Sequence, residues 1–129
     1  MAKQADKVTW FELPADDTAR AGAFYSEVFG WNTSDMGGGS LYAQTTPSDE
    51  NTIPLEPGAI NGDISPRSKA FDRPLIVITV EDIDTKIEMV KKAGGELVLP
   101  REDVAEMGIA WAIVSDTEGN RVGILQNLN

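Results

Sequence analysis

Glu12 stands two residues after Trp10 in the run KVTWFELP, which is rich in β-branched and aromatic residues and closes at Pro14. Strand alternation puts the two side chains on one face. A carboxylate beside an indole in an apolar setting has a raised pKa and can act as a general base. Solvated at a rim, or paired with Arg121 or Arg20, it would do neither. Glu12 gains weight from two absences, because the 129 residues include no histidine and no cysteine. That removes Ser-His-Asp and Cys-His arrangements, thiol nucleophiles, disulfides, iron–sulfur clusters and the usual ligands of zinc, nickel and non-haem iron. Glu12 is the candidate catalytic residue.

The other acidic groups read as structural. Asp16-Asp17 and Asp82/Asp84 sit where helices should start, and a carboxylate there caps free N–H groups and meets the positive end of the helix dipole. Asp116 and Glu118 fall in the turn DTEGN. The triplet at 37–39 has no following Lys-Ser/Thr and is no phosphate loop.

The elements that must position these residues come in two similar series. Residues 7–14 read as a strand. A helix follows, with Ala19, Ala21, Ala23, Phe24, Val28 and Phe29 at helical spacing, and stops at Gly30. Strands are expected at 32–36, 40–46 and 58–64, the last weakened by glycine, with the loop PSDENTIPLEP between the last two. Residues 65–74 are polar, contain two prolines and read as a linker. The pattern then restarts. Residues 75–80 form an apolar run expected to be buried on both faces, followed by a helix with Ile83, Ile87, Val90 and Met89 inward, ending at Gly94-Gly95. Strands at 96–99, 109–115 and 121–126 complete the series, the last two joined by the hairpin turn DTEGN. Trp10 pairs with Leu75, Asp17 with Asp82, Phe24 with Met89 and Gly30 with Gly95. Near the ends, Gly58 and Gly62 pair with Gly119 and Gly123. The expectation is one domain over 1–129, with module one at about 7–64, the linker at 65–74 and module two at about 75–127.

With 11 basic and 21 acidic residues the formal charge is −10, which repels phosphate backbones and anionic lipid and argues against nucleic acid or membrane partners. The apolar runs are far shorter than a membrane span, and MAKQADKVT has no long apolar stretch of a secretory leader, so a cytoplasmic location is expected.

Taken together, FELPADDTARAGAFYSEVFGW, GAINGDI, VEDIDTKIEMVKKAGGELVLP and SDTEGNRVGILQ resemble the vicinal oxygen chelate superfamily of glyoxalase I, bleomycin-resistance proteins and extradiol dioxygenases. The resemblance covers nearly the whole chain. It implies an α+β fold in which two tandem βαβββ modules form a curled mixed sheet around a cleft, with modules pairing within or between chains, hence a homodimer. It also implies a divalent metal held by His, Gln or Glu from the first and last strands of each module. Carried over, those positions fall on Trp10, Leu75, Gly123 and a residue at or near Gly62, none of which offers a side-chain lone pair suited to a metal. No metal and no other cofactor is therefore expected. Magnesium, manganese or calcium on non-standard oxygen ligands is the fallback.

On the same implied fold, Tyr42 and Trp111 would curl over the cleft with Trp10, three aromatics suited to a planar or apolar ligand, though any of them could be ordinary core. Asn61, Gln44 and Gln126 would orient it, and the loop at 47–57 would cover the mouth. Trp31 is expected to pack. The site expected is Trp10, Glu12, Tyr42, Asn61 and Trp111. The leading reading is a small-molecule binder. The rivals are a metal-independent isomerase or lyase with Glu12 as base, and a divalent-metal lyase or dioxygenase.

Overall fold

The computed structural model describes residues 5–129, which form two units. The first runs from Trp10 to Pro74. The second joins Leu75–Asn129 to the residues up to Thr9.

The first unit takes its opening strand from β1 (Lys7–Ala15), followed by α1 (Thr18–Phe29), β2 (Asn32–Gly37), β3 (Ser40–Gln44) and β4 (Asn61–Pro66). Its strand order is β2-β3-β4-β1, with β4 parallel to β1 and antiparallel to β3. The second unit repeats the theme with β5 (Leu75–Thr79), α2 (Ile83–Lys92), β6 (Glu96–Val104), β7 (Ile109–Ser115) and β8 (Arg121–Asn127). Its order is β6-β7-β8-β5, with β8 again parallel to the strand before the helix. The chain is thus α+β, two tandem βαβββ modules with mixed strands.

The acidic pairs do what their positions suggest. Asp17 caps α1 by accepting from Arg20 N at 3.0 Å, and Asp82 caps α2 by accepting from Thr85 N at 3.1 Å. Gly30 ends α1 at φ 74°, a left-handed conformation that suits glycine, and its N–H reaches Ser26 O.

In the first core Ala15, Ala43 and Ile64 are buried beneath Phe11, Leu13, Ala21, Tyr25, Trp31 and Leu41. Helix α1 presents Ala21, Gly22 and Tyr25 to the sheet, and Gly22 lies so close that a Cβ there would be 2.7 Å from Leu41 Cδ1. Phe24, Val28 and Phe29, which the spacing grouped with Ala21, are exposed instead. Small residues bring the helix close to the sheet, and Tyr25 fills the remaining gap by stacking on Trp31 at 4.8 Å. Trp31 packs as expected, also against Phe11.

The second core gathers Val80, Ile83, Ile87, Ala110, Ala112, Val114 and Ile124. Strand β5 is not covered on both faces. Leu75 and Val77 are buried, but on the other face Ile78 packs against this core while Ile76 is 47% exposed. Met89 is exposed as well.

Several boundaries differ from expectation. Strand β4 starts at Asn61, leaving Gly58 in the preceding loop at φ 90°, and runs on to Pro66. Strand β6 extends to Val104 through register shifts between Leu97 and Glu102. Among the described residues no helix is long and apolar enough to cross a membrane.

Candidate functional site

In the first unit the register of three neighbouring strands gathers the candidate side chains. Across β1 and β4, Trp10 stands opposite Asn61 and Glu12 opposite Asp63; across β3 and β4, Tyr42 stands opposite Asp63. Alternation turns Phe11, Leu13 and Ala15 under α1 and leaves Trp10 and Glu12 on the other face.

Asp63 is the centre of this face and was not anticipated from the sequence. It is buried, and both its oxygens accept hydrogen bonds: Oδ1 from Ser65 Oγ at 2.6 Å and Oδ2 from Trp10 Nε1 at 2.7 Å. The Glu12 carboxyl also hydrogen-bonds to it. Tyr42 stacks on Trp10, with ring centroids 5.8 Å apart and planes 14° from parallel. Two oxygens on this face, Glu12 Oε1 and the Tyr42 hydroxyl, are buried with no partner.

The electrostatics separate the two carboxyls. Burial pushes the Glu12 pKa up to about 9, with the Asp63 charge and its hydrogen bond adding to the rise. Burial also raises Asp63, but the bonds from Ser65, Trp10 and Glu12 favour its charged form. The pair therefore keeps a proton at neutral pH, and the hydrogen bonds that Asp63 accepts favour Glu12 as its holder. Glu12 has the raised pKa the sequence suggested and is not a solvated rim acid. The rise is large enough that Glu12 is an acid near pH 7, and it would serve as a base only at alkaline pH.

The remaining candidates are placed as follows. Asn61 is on the same face, but its amide is engaged by the loop that precedes β4: Oδ1 accepts from Thr45 N, and Nδ2 donates to Ser48 Oγ and Thr52 O. That loop, expected as a lid, is pinned by these bonds, and Thr52 is held at φ 66°, a strained conformation for a β-branched residue. Gln44 donates to Thr46 O. Trp111 is half-buried on β7 in the second unit, opposite Glu102 and Leu125, and Gln126 there caps α2 by accepting from Ile83 N. On the helix side of the first unit an open groove of about 550 Å³ runs past Leu13, Phe24 and Arg67, where Arg67 is paired with Asp16.

The Glyoxalase/Bleomycin resistance protein/Dioxygenase superfamily model matches residues 7–124. The chain belongs to this superfamily. It is 32% identical over 121 residues to a glyoxylase-like domain-containing protein of Didymella fabae, covering 88% of each chain. It is 30% identical over 123 residues to a Mycobacterium tuberculosis protein named as a glyoxylase, CFP32. That match takes in 91% of this chain, which spans only 44% of the mycobacterial protein's length. Among solved structures it resembles a Streptomyces coelicolor methylmalonyl-CoA epimerase variant in complex with 2-nitronate-propionyl-CoA, with TM-score 0.62, 15% identity and 95% and 97% of the two chains covered. The hypothetical protein BH1468 of Bacillus halodurans gives 0.61, 16% and 95% of each. At such identities these structures speak for the superfamily fold alone.

The superfamily's metal can be tested against this donor set. With Trp10 and Leu75 as equivalents, Glu12 corresponds to Val77. Because Glu12 pairs with Asp63 and Val77 with Gly123, the first-unit counterpart of Gly123 is Asp63 rather than Gly62. Gly62 faces the other way: a Cβ on it would collide with the Phe11 carbonyl and ring. One of the four metal-ligand positions thus does carry a carboxylate. The other three, Trp10, Leu75 and Gly123, offer no side-chain lone pair suited to a metal. Among the described residues no three His, Cys, Asp or Glu side chains converge as a metal group would require. These residues do not fit a divalent metal.

Proposed function

We propose that this superfamily member binds a small apolar or aromatic molecule without metal, on the face formed by Trp10, Glu12 and Tyr42. The observation that carries the proposal is the pair of buried, unpartnered oxygens, Glu12 Oε1 and the Tyr42 hydroxyl. Each such atom costs about 1–3 kcal/mol when left unsatisfied, so a molecule that completes them recovers that cost on binding. The stacked rings of Trp10 and Tyr42 supply apolar, planar surface beside those oxygens.

A second reading is favoured by the protonated carboxyl lying against an ionised one. In a metal-independent isomerase or lyase, Glu12 would give its proton to one substrate atom while the Asp63 carboxylate takes a proton from another, and that proton would then pass from Asp63 to Glu12 to reset the pair. Glu12→Gln separates the two, because the amide still donates to Asp63 and still presents an oxygen but has no proton to transfer. Under the binding reading, affinity for aromatic fragments stays within about threefold of wild type. Under the catalytic reading, turnover is lost while binding survives. Titrations followed at the Trp10 indole N–H test both, and aromatic fragments that leave that resonance unmoved would sink the proposal.

The proposal includes a cytoplasmic homodimer. The exposed Phe24, Val28 and Phe29 on α1 support an apolar contact with a second copy, and sedimentation velocity measures it.

A further inference from the structure

We infer that α1 is the seat of a two-fold contact between copies of this chain, the helix lying antiparallel on the α1 of the second copy with Arg20 of each facing Glu27 of the other. This rests on the homodimer reading above and adds where and in what register the copies meet. Helix α1 turns Ala19, Arg20, Ala23, Phe24, Glu27 and Val28 away from its own core, and all of them are exposed. A surface helix ordinarily carries charged and polar groups on that side. Here the side is apolar except for one cation and one anion. The tandem fold supplies a control. Helix α2, the same element in the second unit, exposes Asp84, Glu88, Lys91 and Lys92, with Met89 its large apolar exception. Its charges find partners within the chain, Lys91 with Glu88 and Asp84 with Arg101. Among the described residues neither the Arg20 guanidinium nor the Glu27 carboxylate has an ion-pair partner.

The symmetry of this pattern selects a second copy over a different partner. Arg20 precedes Glu27 by about two turns, with Ala23 and Phe24 midway between them on the same side. A two-fold axis passing between Ala23 and Phe24 turns the helix end for end. Arg20 then falls opposite Glu27 at both ends of the contact, and each Phe24 ring falls opposite the small Ala23 of the other helix. The face is its own complement in charge and in size. The same rotation carries Val28 of the second copy past Ala19 to the N-terminal half of α1, where the groove lined by Arg20, Ala21 and Phe24 opens alongside. Net charge points the same way. A chain of formal charge −10 repels its copy across an acidic surface, whereas this face sums to zero and meets the copy through opposite charges.

The test uses the full chain and two charge reversals at exposed positions, Arg20→Glu and Glu27→Arg, followed by sedimentation velocity and native mass spectrometry. The wild type is expected to dimerise, and each variant alone to dimerise at least about tenfold more weakly, since both ion pairs become like-charge contacts. Mixed in equal amounts, the two variants are expected to pair with one another within about threefold of the wild-type affinity, because the hybrid restores opposite charges at both ends. The hybrid's mass differs from that of either variant's own dimer. Phe24→Ala, which removes an exposed ring, weakens the wild-type dimer as well. If both reversals dimerise as the wild type does, the copies meet on another surface: the homodimer reading stands and this inference is overturned. If each variant is weakened but the mixture is no tighter than either alone, Arg20 and Glu27 do not face one another and the antiparallel register falls. If the wild type sediments as a monomer, the face serves some other partner, and both this inference and the homodimer reading fail.

Discussion

Glu12 meets Asp63 in a setting where one carboxyl keeps its proton and the other its charge, the cause being burial first and the neighbouring charge second. Asp63 is the group that acts on Glu12 beside burial, and it adds to the rise rather than offsetting it. The stability of the fold inherits this. The ordinary Glu12 value of 4.5 applies to the unfolded chain and about 9 to the folded one. Between those values the folded state holds a proton that the unfolded state has lost. Stability is therefore fully present below about 4.5 and declines as pH rises toward 9, by at most about 1.4 kcal/mol per pH unit. Asp63, also raised, pushes in the same direction. Glu12→Gln removes the titration, so its stability in urea should change less between about pH 5.5 and about pH 8.5 and exceed wild type at the upper end by at least about 1 kcal/mol. Parallel curves for the two proteins would place the proton elsewhere. That Glu12 and Trp10 share one face was legible from strand alternation. Asp63 was not, because GAINGDI reads as a glycine-weakened strand and a one-residue slip moves every side chain to the opposite face.

Strand β4 shows what such a slip would cost. Gly62 lies where β4 passes closest to Phe11, and a Cβ would meet both the backbone oxygen and the ring of that residue. Gly62→Ala should destabilise by about 2 kcal/mol or more, since the obstacle includes main chain that has little room to give. It should also shift the Glu12–Asp63 register, read as a displaced Trp10 indole resonance. A variant of wild-type stability with an unmoved indole would show that the register tolerates the extra carbon. At this scale the helix caps at Asp17 and Asp82 and the stop at Gly30 were readable, because capping chemistry is local. The inward face of α1 was not. Its apolar residues run round most of the helix, and only the close approach of Gly22 to Leu41 selects Ala21 and Tyr25 over Phe24, Val28 and Phe29. The loop after β3 was expected as a lid, and its pinning by Asn61 depends on contacts no periodicity reports.

For the molecule as a whole, duplication supplies the scaffold twice but this chemistry once. Positions equivalent to Trp10, Glu12 and Asp63 in the second unit are Leu75, Val77 and Gly123, all without polar side chains. The repeat of βαβββ was legible because strand runs, caps and glycine stops recur in the same order, and two such series agree on one topology. The central claim is that a hydrogen-bonded carboxyl pair holding one proton stands where superfamily members hold a metal. A native mass spectrum of the protein as purified, with the denatured mass alongside, tests it most directly. The account predicts a pair of chains with no stoichiometric divalent metal, any added mass being organic and lost on denaturation. One divalent ion per chain that survives dialysis and disappears in Asp63→Asn would contradict it.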